Sequence, residues 1–101
     1  MSRQIVLTKT AEKRLDDLLE YLEKNWSLKV KLNFISKLEK RFEVLKKNPE
    51  VFPNSNIKKG LHKCVVTRQT TVYYTFDNAK IYILTVFDNR QDPKKLVKEI
   101  E

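Results

Sequence analysis

The apolar residues of the N-terminal half recur every three or four positions in two long segments. In residues 10–25 and just beyond, they are Leu15, Leu18, Leu19, Leu22 and Trp26. Between Ser27 and about Asn48, they are Val30, Phe34, Ile35, Leu38, Phe42 and Leu45. This spacing predicts two amphipathic helices, the first capped by Thr8 or Thr10 and the second by Ser27. The short break between them predicts an antiparallel helical hairpin.

Runs of β-branched and aromatic residues predict four strands around this hairpin. The first strand precedes the helices, at residues 3–8. A loop at residues 49–60 follows the helices, and after it come the other three strands, at residues 61–67, 71–76 and 80–87. The breaks at 68–70 and 77–79 are short enough for antiparallel hairpins. Strict alternation along the last strand places Ile81, Ile83, Thr85 and Phe87 on one face. The opposite face is also apolar, so we expect this strand to lie centrally.

Asp92 and Pro93 predict the start of a short C-terminal helix, with three candidate docking residues, Leu96, Val97 and Ile100. The element order is therefore β-α-α-β-β-β-α. Helices followed by a β-meander favour the α+β class, with the helical hairpin on one face of a mainly antiparallel four-stranded sheet. The length of 101 residues suits one domain over residues 1–101.

The chain is strongly basic, with a formal net charge of +8. Such an excess attracts polyanions, which include nucleic acid, a ribonucleoprotein surface or an acidic protein segment. Eight lysines cluster from the second helix into the following loop, at positions 29, 31, 37, 40, 46, 47, 58 and 59. Their surface either contacts phosphates or is only solvated. No apolar run approaches a membrane span and the N-terminus lacks signal-peptide features, so we expect a cytoplasmic protein without a membrane partner.

Cysteine, histidine and glycine are too rare for several familiar sites. Cys64 is the only cysteine, and its strand context predicts a small buried side chain. One histidine, His62, provides no zinc-binding spacing, and one glycine, Gly60, provides no phosphate-binding loop. We therefore expect neither a metal nor a cofactor.

His62 and Lys63 begin a predicted strand, where they could move a proton and stabilise a charged transition state. The alternative, which the pattern favours, is an ordinary strand end with exposed polar side chains. The strand tyrosines could likewise stack on bases, although packing is the favoured interpretation: Tyr73, Tyr74 and Tyr82.

Two arginines lie where strands end. Arg68 sits at a predicted turn and Arg90 follows the last strand. Either guanidinium can bind a phosphate or carboxylate in a bidentate manner. Arg90 can equally pair with Asp88 or Asp92, and this structural pairing is the favoured interpretation.

The order and spacing of several segments resemble the RelE/ParE toxin superfamily over essentially the whole chain. The segments that carry the resemblance are residues 7–15, Tyr21-Leu22, Asn25-Trp26, residues 34–38, Phe52-Pro53, Val72-Tyr73-Tyr74 and residues 88–93. This resemblance implies the toxin of a type II toxin–antitoxin system, without metal or cofactor. Its RelE-like branch cuts messenger RNA on the ribosome, and its ParE-like branch poisons DNA gyrase.

Within this resemblance, the residues favour the ParE-like branch. The helical hairpin is long, and residues 7–26 look most like that branch. The nuclease-like positions are incomplete: Lys63 matches a family lysine, but the next inward position is Val65, Thr71 stands where RelE-like enzymes carry a strand arginine, and no Tyr or His follows Phe87. We therefore expect a gyrase inhibitor. The alternatives are a ribosome-dependent endoribonuclease using His62, Lys63, Arg68 and Arg90, or an inactive family member that only binds.

The same resemblance implies a cognate antitoxin that wraps the toxin in a hetero-oligomer. An acidic, partly disordered segment folding onto a basic surface fits the physics of coupled folding and binding. The candidate residues for binding the antitoxin or the target are Trp26, Leu28, Arg90, Asp92 and Pro93.

Overall fold

The predicted helical hairpin is confirmed in the computed structural model, which describes residues 2–100. Helix α1 spans Lys9–Asn25 and helix α2 spans Leu28–Lys47. Thr8 caps α1 and Ser27 caps α2, each through a hydroxyl that accepts a hydrogen bond from the backbone N–H three residues further on. Each such cap stabilises its helix by about 1 kcal/mol. Along the described residues, no helix has the length and apolar character needed to cross a membrane.

The sheet is mixed but mainly antiparallel. Its strands are β1 at Gln4–Leu7, β2 at His62–Thr67, β3 at Thr70–Phe76 and β4 at Lys80–Asp88. They lie in the order β1-β4-β3-β2, with β1 parallel to β4 and the other neighbours antiparallel. The predicted central position of the last strand is confirmed, and the observed bounds differ from the predicted ones by one residue at several ends.

Two apolar clusters cover the two faces of this sheet. On the hairpin face, α1 and α2 pack on β2, β3 and β4. The buried residues of this cluster come from both helices and all three strands: Ala11, Phe34, Leu38, Leu45, Cys64, Val66, Val72, Tyr74, Ile81, Ile83 and Val86. The opposite face, called the α3 face here, is covered by the C-terminal helix α3 at Pro93–Ile100. Its cluster consists of Leu61, Tyr73, Leu84, Phe87, Leu96 and Ile100. The predicted burial of Cys64 and the predicted packing of Tyr73 and Tyr74 are confirmed.

A β-bulge in β4 changes which side chains share a face. Tyr73 pairs with Thr85 whereas the next residue, Tyr74, pairs with Ile83, so Leu84 is an extra residue. An extra residue reverses the alternation beyond it. The prediction that Ile81, Ile83, Thr85 and Phe87 share one face is therefore wrong. The hairpin face carries Ile81, Ile83 and Val86, and the α3 face carries Leu84, Thr85 and Phe87.

Helix α3 is held by two buried anchors and one polar contact. Leu96 and Ile100 dock as predicted, but Val97 is 36% exposed, because it projects about 100° around the helix from Leu96. The prediction that Val97 docks the helix is wrong. Glu99 accepts hydrogen bonds from Thr85 of β4 and from Arg14 of α1, which fixes α3 across the sheet.

The loop at 49–60 is more ordered than its composition predicts. It begins with a 3₁₀ turn at Pro49–Val51, and the buried Tyr74 hydroxyl donates a hydrogen bond to the Pro49 carbonyl. Asn54 forms a bridge with the first residue of β2. Gly60 has a φ of 80°, in the left-handed region that favours glycine, and it turns the chain into β2.

Candidate functional site

A cleft of about 430 Å³ opens between the tip of the helical hairpin and the end of the sheet where β4 finishes. We call it the tip cleft. Its walls come from α1, α2, the β2–β3 turn and the segment after β4: Leu18, Tyr21, Leu22, Trp26, Val30, Asn33, Phe34, Lys37, Thr67, Gln69, Thr70, Asp88 and Arg90. A second cavity of about 330 Å³ continues it along α1 and shares Tyr21, Asp88 and Arg90.

The cleft exists because the apolar stripes of the two helices continue to the hairpin tip, where the sheet no longer covers them. Trp26 is 68% exposed, although it continues the apolar stripe of α1. Tyr21 and Val30 line the same cleft and are 43% and 36% exposed. Exposed aromatic and aliphatic side chains around a concavity are typical of a protein-binding site, because a partner removes them from water.

An ion pair forms the polar rim of the tip cleft. The Arg90 guanidinium donates to Asp88 from both Nε and Nη2, with Nη2 2.7 Å from Oδ2. The favoured structural pairing of Arg90 is thus confirmed, with Asp88 as the partner. These hydrogen bonds hold the pKa of the Asp88 carboxyl below its usual value and raise the pKa of Arg90 above its own. The Arg90 side chain remains 55% exposed, so donors are left for a partner's carboxylate.

His62 and Lys63 project from opposite faces of the sheet. His62 lies on the hairpin face, where its ring stacks on Tyr74 at 5.4 Å between centroids, and its Nδ1 is 2.9 Å from the carbonyl oxygen of Phe52. The interpretation of His62 as an exposed strand end is wrong, because stacking and this hydrogen bond half-bury it. Lys63 pairs with Tyr73 on the α3 face and is exposed.

Arg68 and Arg90 lie at the opposite end of the sheet from His62 and Lys63. Arg68 sits in the β2–β3 turn, which meets the end of β4 through a 2.7 Å hydrogen bond from the Asn89 N–H to the Gln69 carbonyl. Since a strand rises about 3.3 Å per residue, Lys63 and Arg68 stand roughly 16 Å apart along β2. The structure therefore brings the two arginines to one end and leaves His62 and Lys63 near the other.

The candidate binding residues separate into three places. Trp26 and Arg90 line the same tip cleft, which the sequence alone does not indicate. Leu28 is 56% exposed at the start of α2 but lies outside the cleft. Asp92 and Pro93 begin α3, where the Asp92 carboxylate accepts a hydrogen bond of 2.9 Å from the Lys94 N–H.

Among the cleft residues that the sequence candidates did not include, three bear directly on binding. Tyr21 contributes an exposed ring, Lys37 a charge, and Asp88 the carboxylate that orients Arg90. The signal for Tyr21 was available, because it is an aromatic residue beside the apolar stripe of α1, about one and a half turns before Trp26. No comparable signal marks Lys37, which is one of many lysines on α2.

A family model described as the ParE toxin of type II toxin–antitoxin systems, parDE, matches residues 5–93. The chain belongs to this family. The resemblance to the RelE/ParE superfamily is confirmed, and the chain is a type II toxin–antitoxin toxin of that superfamily. No curated protein sequence matches this ParE-family toxin.

Several solved structures share the fold of this ParE-family toxin. A chain of the chromosomal ParDE system from P. aeruginosa has a TM-score of 0.71 at 13% identity, covering 86% of this chain and 96% of that one. YoeB from Staphylococcus aureus has a TM-score of 0.61 at 15% identity, with 86% and 97% covered. A chain of the E. coli DinJ–YafQ toxin–antitoxin complex has 0.61 at 13%, with 89% and 96% covered. At these identities the likeness concerns the fold alone.

Proposed function

We propose that this ParE-family toxin inhibits DNA gyrase by binding it through the tip cleft, and that a cognate antitoxin neutralises it. The observation that carries the proposal is the placement of the candidate catalytic residues. The sheet separates His62 from Lys63, and Arg90 lies at the far end in an ion pair with Asp88. Ribonuclease chemistry without a metal needs such groups within hydrogen-bonding reach of one phosphate.

The α3 face gives independent support. Lys63 projects from this face, but its neighbours Tyr73 and Phe87 are 8% and 5% exposed beneath α3. Burial also raises the pKa of the Tyr73 hydroxyl above its usual value. The part of this face beneath α3 is thus apolar and filled, which suits a structural role, whereas β2 leaves Lys63 and Val65 exposed beside it.

The tip cleft supplies what protein binding requires. Trp26 and Tyr21 are exposed aromatic side chains, and Arg90 is an oriented donor at the rim. Aromatic residues and arginine dominate the binding energy of protein interfaces. The inhibitor would therefore need a complementary surface on gyrase and no catalytic group of its own.

An antitoxin would compete for the same surface. The structures that share this fold include toxin–antitoxin complexes, ParDE from P. aeruginosa and DinJ–YafQ from E. coli. Lys37 and Arg90 border the apolar cleft of a chain with a net charge of +8. An acidic amphipathic segment that folds on binding would complement both the apolar floor and this charge.

Purified toxin tests the proposal in a reaction with gyrase, ATP and relaxed plasmid. We expect it to block supercoiling and to leave translation in a cell-free system unaffected. Trp26→Ala should weaken the block, whereas Leu28→Ala, an exposed apolar residue outside the cleft, serves as the matched control. Unimpaired supercoiling at saturating toxin would contradict the proposal.

A RelE-like endoribonuclease is the second candidate, favoured by the fold shared with YoeB and YafQ and by the basic charge. In that case Lys63, Arg68, Arg90 and His62 would bind the scissile phosphate. Primer extension on messenger RNA from expressing cells would show new cleavage sites that disappear with Arg90→Ala. Harmless expression without an antitoxin would instead support the third candidate, an inactive family member that only binds.

A further inference from the structure

The two helices of the hairpin carry opposite charge. Helix α1 holds five carboxylates and four cations, whereas α2 holds seven cations and two carboxylates. Three of the lysines of α2, Lys29, Lys40 and Lys47, are separated by 11 and 18 residues from the first, which correspond to about three and five helical turns. They therefore lie on one line along α2, which we call the lysine line.

The lysine line faces away from the protein. The buried residues of α2, among them Phe34 and Leu38, lie on the opposite side of the helix, and all three lysines of the line are exposed. None of the three forms an ion pair within residues 2–100. Glu43, the carboxylate nearest the line, is paired with Lys46 at 3.3 Å. These charges are thus not used by the fold.

The geometry of the lysine line fits a rigid polyanion. Eighteen residues of helix place Lys29 and Lys47 about 27 Å apart, a little less than one turn of B-form DNA at roughly 34 Å. Lysine is a point charge on a flexible stem, which suits phosphates whose identity does not depend on sequence.

Other acidic partners fit this surface less well. Single-stranded nucleic acid is usually held by aromatic side chains on which bases stack, and the residues along the line, such as Asn33, Ser36 and Val44, include no aromatic ring. A folded acidic peptide needs a group of apolar anchors, whereas the exposed apolar side chains beside the line, Leu32 and Val44, stand about 18 Å apart along the helix. The tip cleft supplies such anchors on a different part of the molecule.

We infer that the lysine line is a second binding surface, which contacts the phosphate backbone of duplex DNA without reading its sequence. Binding of the toxin to DNA does not depend on the proposed function. The biological role of that binding does rest on the proposed function: gyrase works on duplex DNA, so a toxin that contacts the duplex beside the enzyme would bind the gyrase–DNA complex more tightly than gyrase alone.

The test measures anisotropy of a fluorescent 30-base-pair duplex titrated with purified toxin at several salt concentrations. The variant Lys29→Gln/Lys40→Gln/Lys47→Gln removes the line. Its matched control is Lys94→Gln/Lys95→Gln/Lys98→Gln on α3, which removes three exposed lysines and changes the net charge equally. Circular dichroism verifies that both variants fold.

We expect micromolar binding by the unmodified toxin, since non-specific DNA binding lies at about 10⁻⁴ to 10⁻⁶ M. The line variant should bind at least about tenfold more weakly, and its slope of log affinity against log salt should fall by about 3, one for each lost phosphate contact. The α3 control should lose less than about threefold.

Three results would overturn the inference: no binding to the duplex, equal losses in both variants, or a loss in the line variant that appears with polyglutamate but not with DNA. Supercoiling assays keep this separate from the proposed function. A toxin that inhibits gyrase without binding DNA overturns only the lysine line, and one that binds DNA without inhibiting gyrase overturns only the gyrase proposal.

Discussion

The two faces of the sheet are both covered by helices, but neither is covered completely: β2 keeps Lys63 and Val65 exposed on the α3 face, and the hairpin leaves its own tip exposed. On the α3 face, eight residues of helix with two anchors, Leu96 and Ile100, leave Tyr73 and Phe87 almost inaccessible. On the hairpin face, a much longer pair of helices extends past the sheet and leaves Trp26 68% exposed. The longer cover therefore leaves the larger binding surface, because apolar residues continue beyond the strands that could bury them.

This difference separates stability from recognition in the molecule. The α3 face contributes burial beneath its helix, and β2 leaves Val65 52% exposed on the same face. The hairpin face contributes burial at its base, through Leu38 and Leu45, and the tip cleft at its end. Substitutions on the two faces should therefore affect different measurements.

The largest expected effect is on stability, at the α3 face. Leu96→Ala should lower the free energy of unfolding by about 2–5 kcal/mol, because it removes a buried anchor and leaves a cavity beneath α3. Urea denaturation followed by circular dichroism measures this change. The adjacent Val97→Ala is the control and should stay within about 0.5 kcal/mol, since Val97 is exposed. Equal effects at both positions would show that α3 does not close this face.

The next effect is on binding, at the hairpin face, which is open at the tip cleft. Trp26→Ala should weaken gyrase inhibition about 30-fold, which corresponds to the roughly 2 kcal/mol typical of an aromatic hot spot. Its thermal midpoint should barely change, because the ring is mostly in water. Dose–response curves for supercoiling give the first quantity and thermal denaturation the second. A large loss of stability with unchanged inhibition would reverse the assignment of the two faces.

A smaller effect concerns the rim of the tip cleft. Because Arg90 lowers the pKa of Asp88, their pair stabilises the fold above the unfolded aspartate pKa of about 3.9, and that stabilisation is lost as the pH falls through the lower folded value. Unmodified toxin should therefore lose more stability than Asp88→Asn between about pH 5 and pH 2. The difference should be under about 1 kcal/mol, since Arg90 is half exposed. Parallel pH profiles for the two proteins would mean that the pair contributes nothing.

The smallest effect is expected at Lys63, on the α3 face. Lys63→Ala should change gyrase inhibition less than about twofold and stability by less than about 0.5 kcal/mol, because the side chain is exposed and lies outside the tip cleft. Arg90→Ala, at the open face, should weaken inhibition in the same assay. Complete loss of toxicity in Lys63→Ala would place the active surface on the α3 face instead.

Much of the fold follows from local patterns in the sequence. Apolar spacing and the Thr8 and Ser27 hydroxyls define the helices, because amphipathicity and capping act within a few residues. The bulge at Leu84 was not predicted, because it depends on the register between β3 and β4, which no single strand encodes. The exposure of Val97 was missed for a similar reason: the pattern of α3 leaves open which of its apolar residues faces the sheet.

The site was predictable only in part. The pairing of Arg90 with a nearby aspartate follows from two residues of separation. The meeting of Trp26 and Arg90 in one cleft does not, since the two residues are 64 positions apart in the chain and only the packed fold brings them together. The opposite orientations of His62 and Lys63 follow from strand alternation, but which face each one shares with other candidates required the complete sheet.

The most direct test of the account is to express this toxin alone in a bacterium and to follow the incorporation of labelled thymidine and labelled methionine during the first minutes. A toxin that binds gyrase through the tip cleft should stop thymidine incorporation first, and Trp26→Ala should delay that stop. If methionine incorporation falls first, translation is the target, and the gyrase proposal is contradicted.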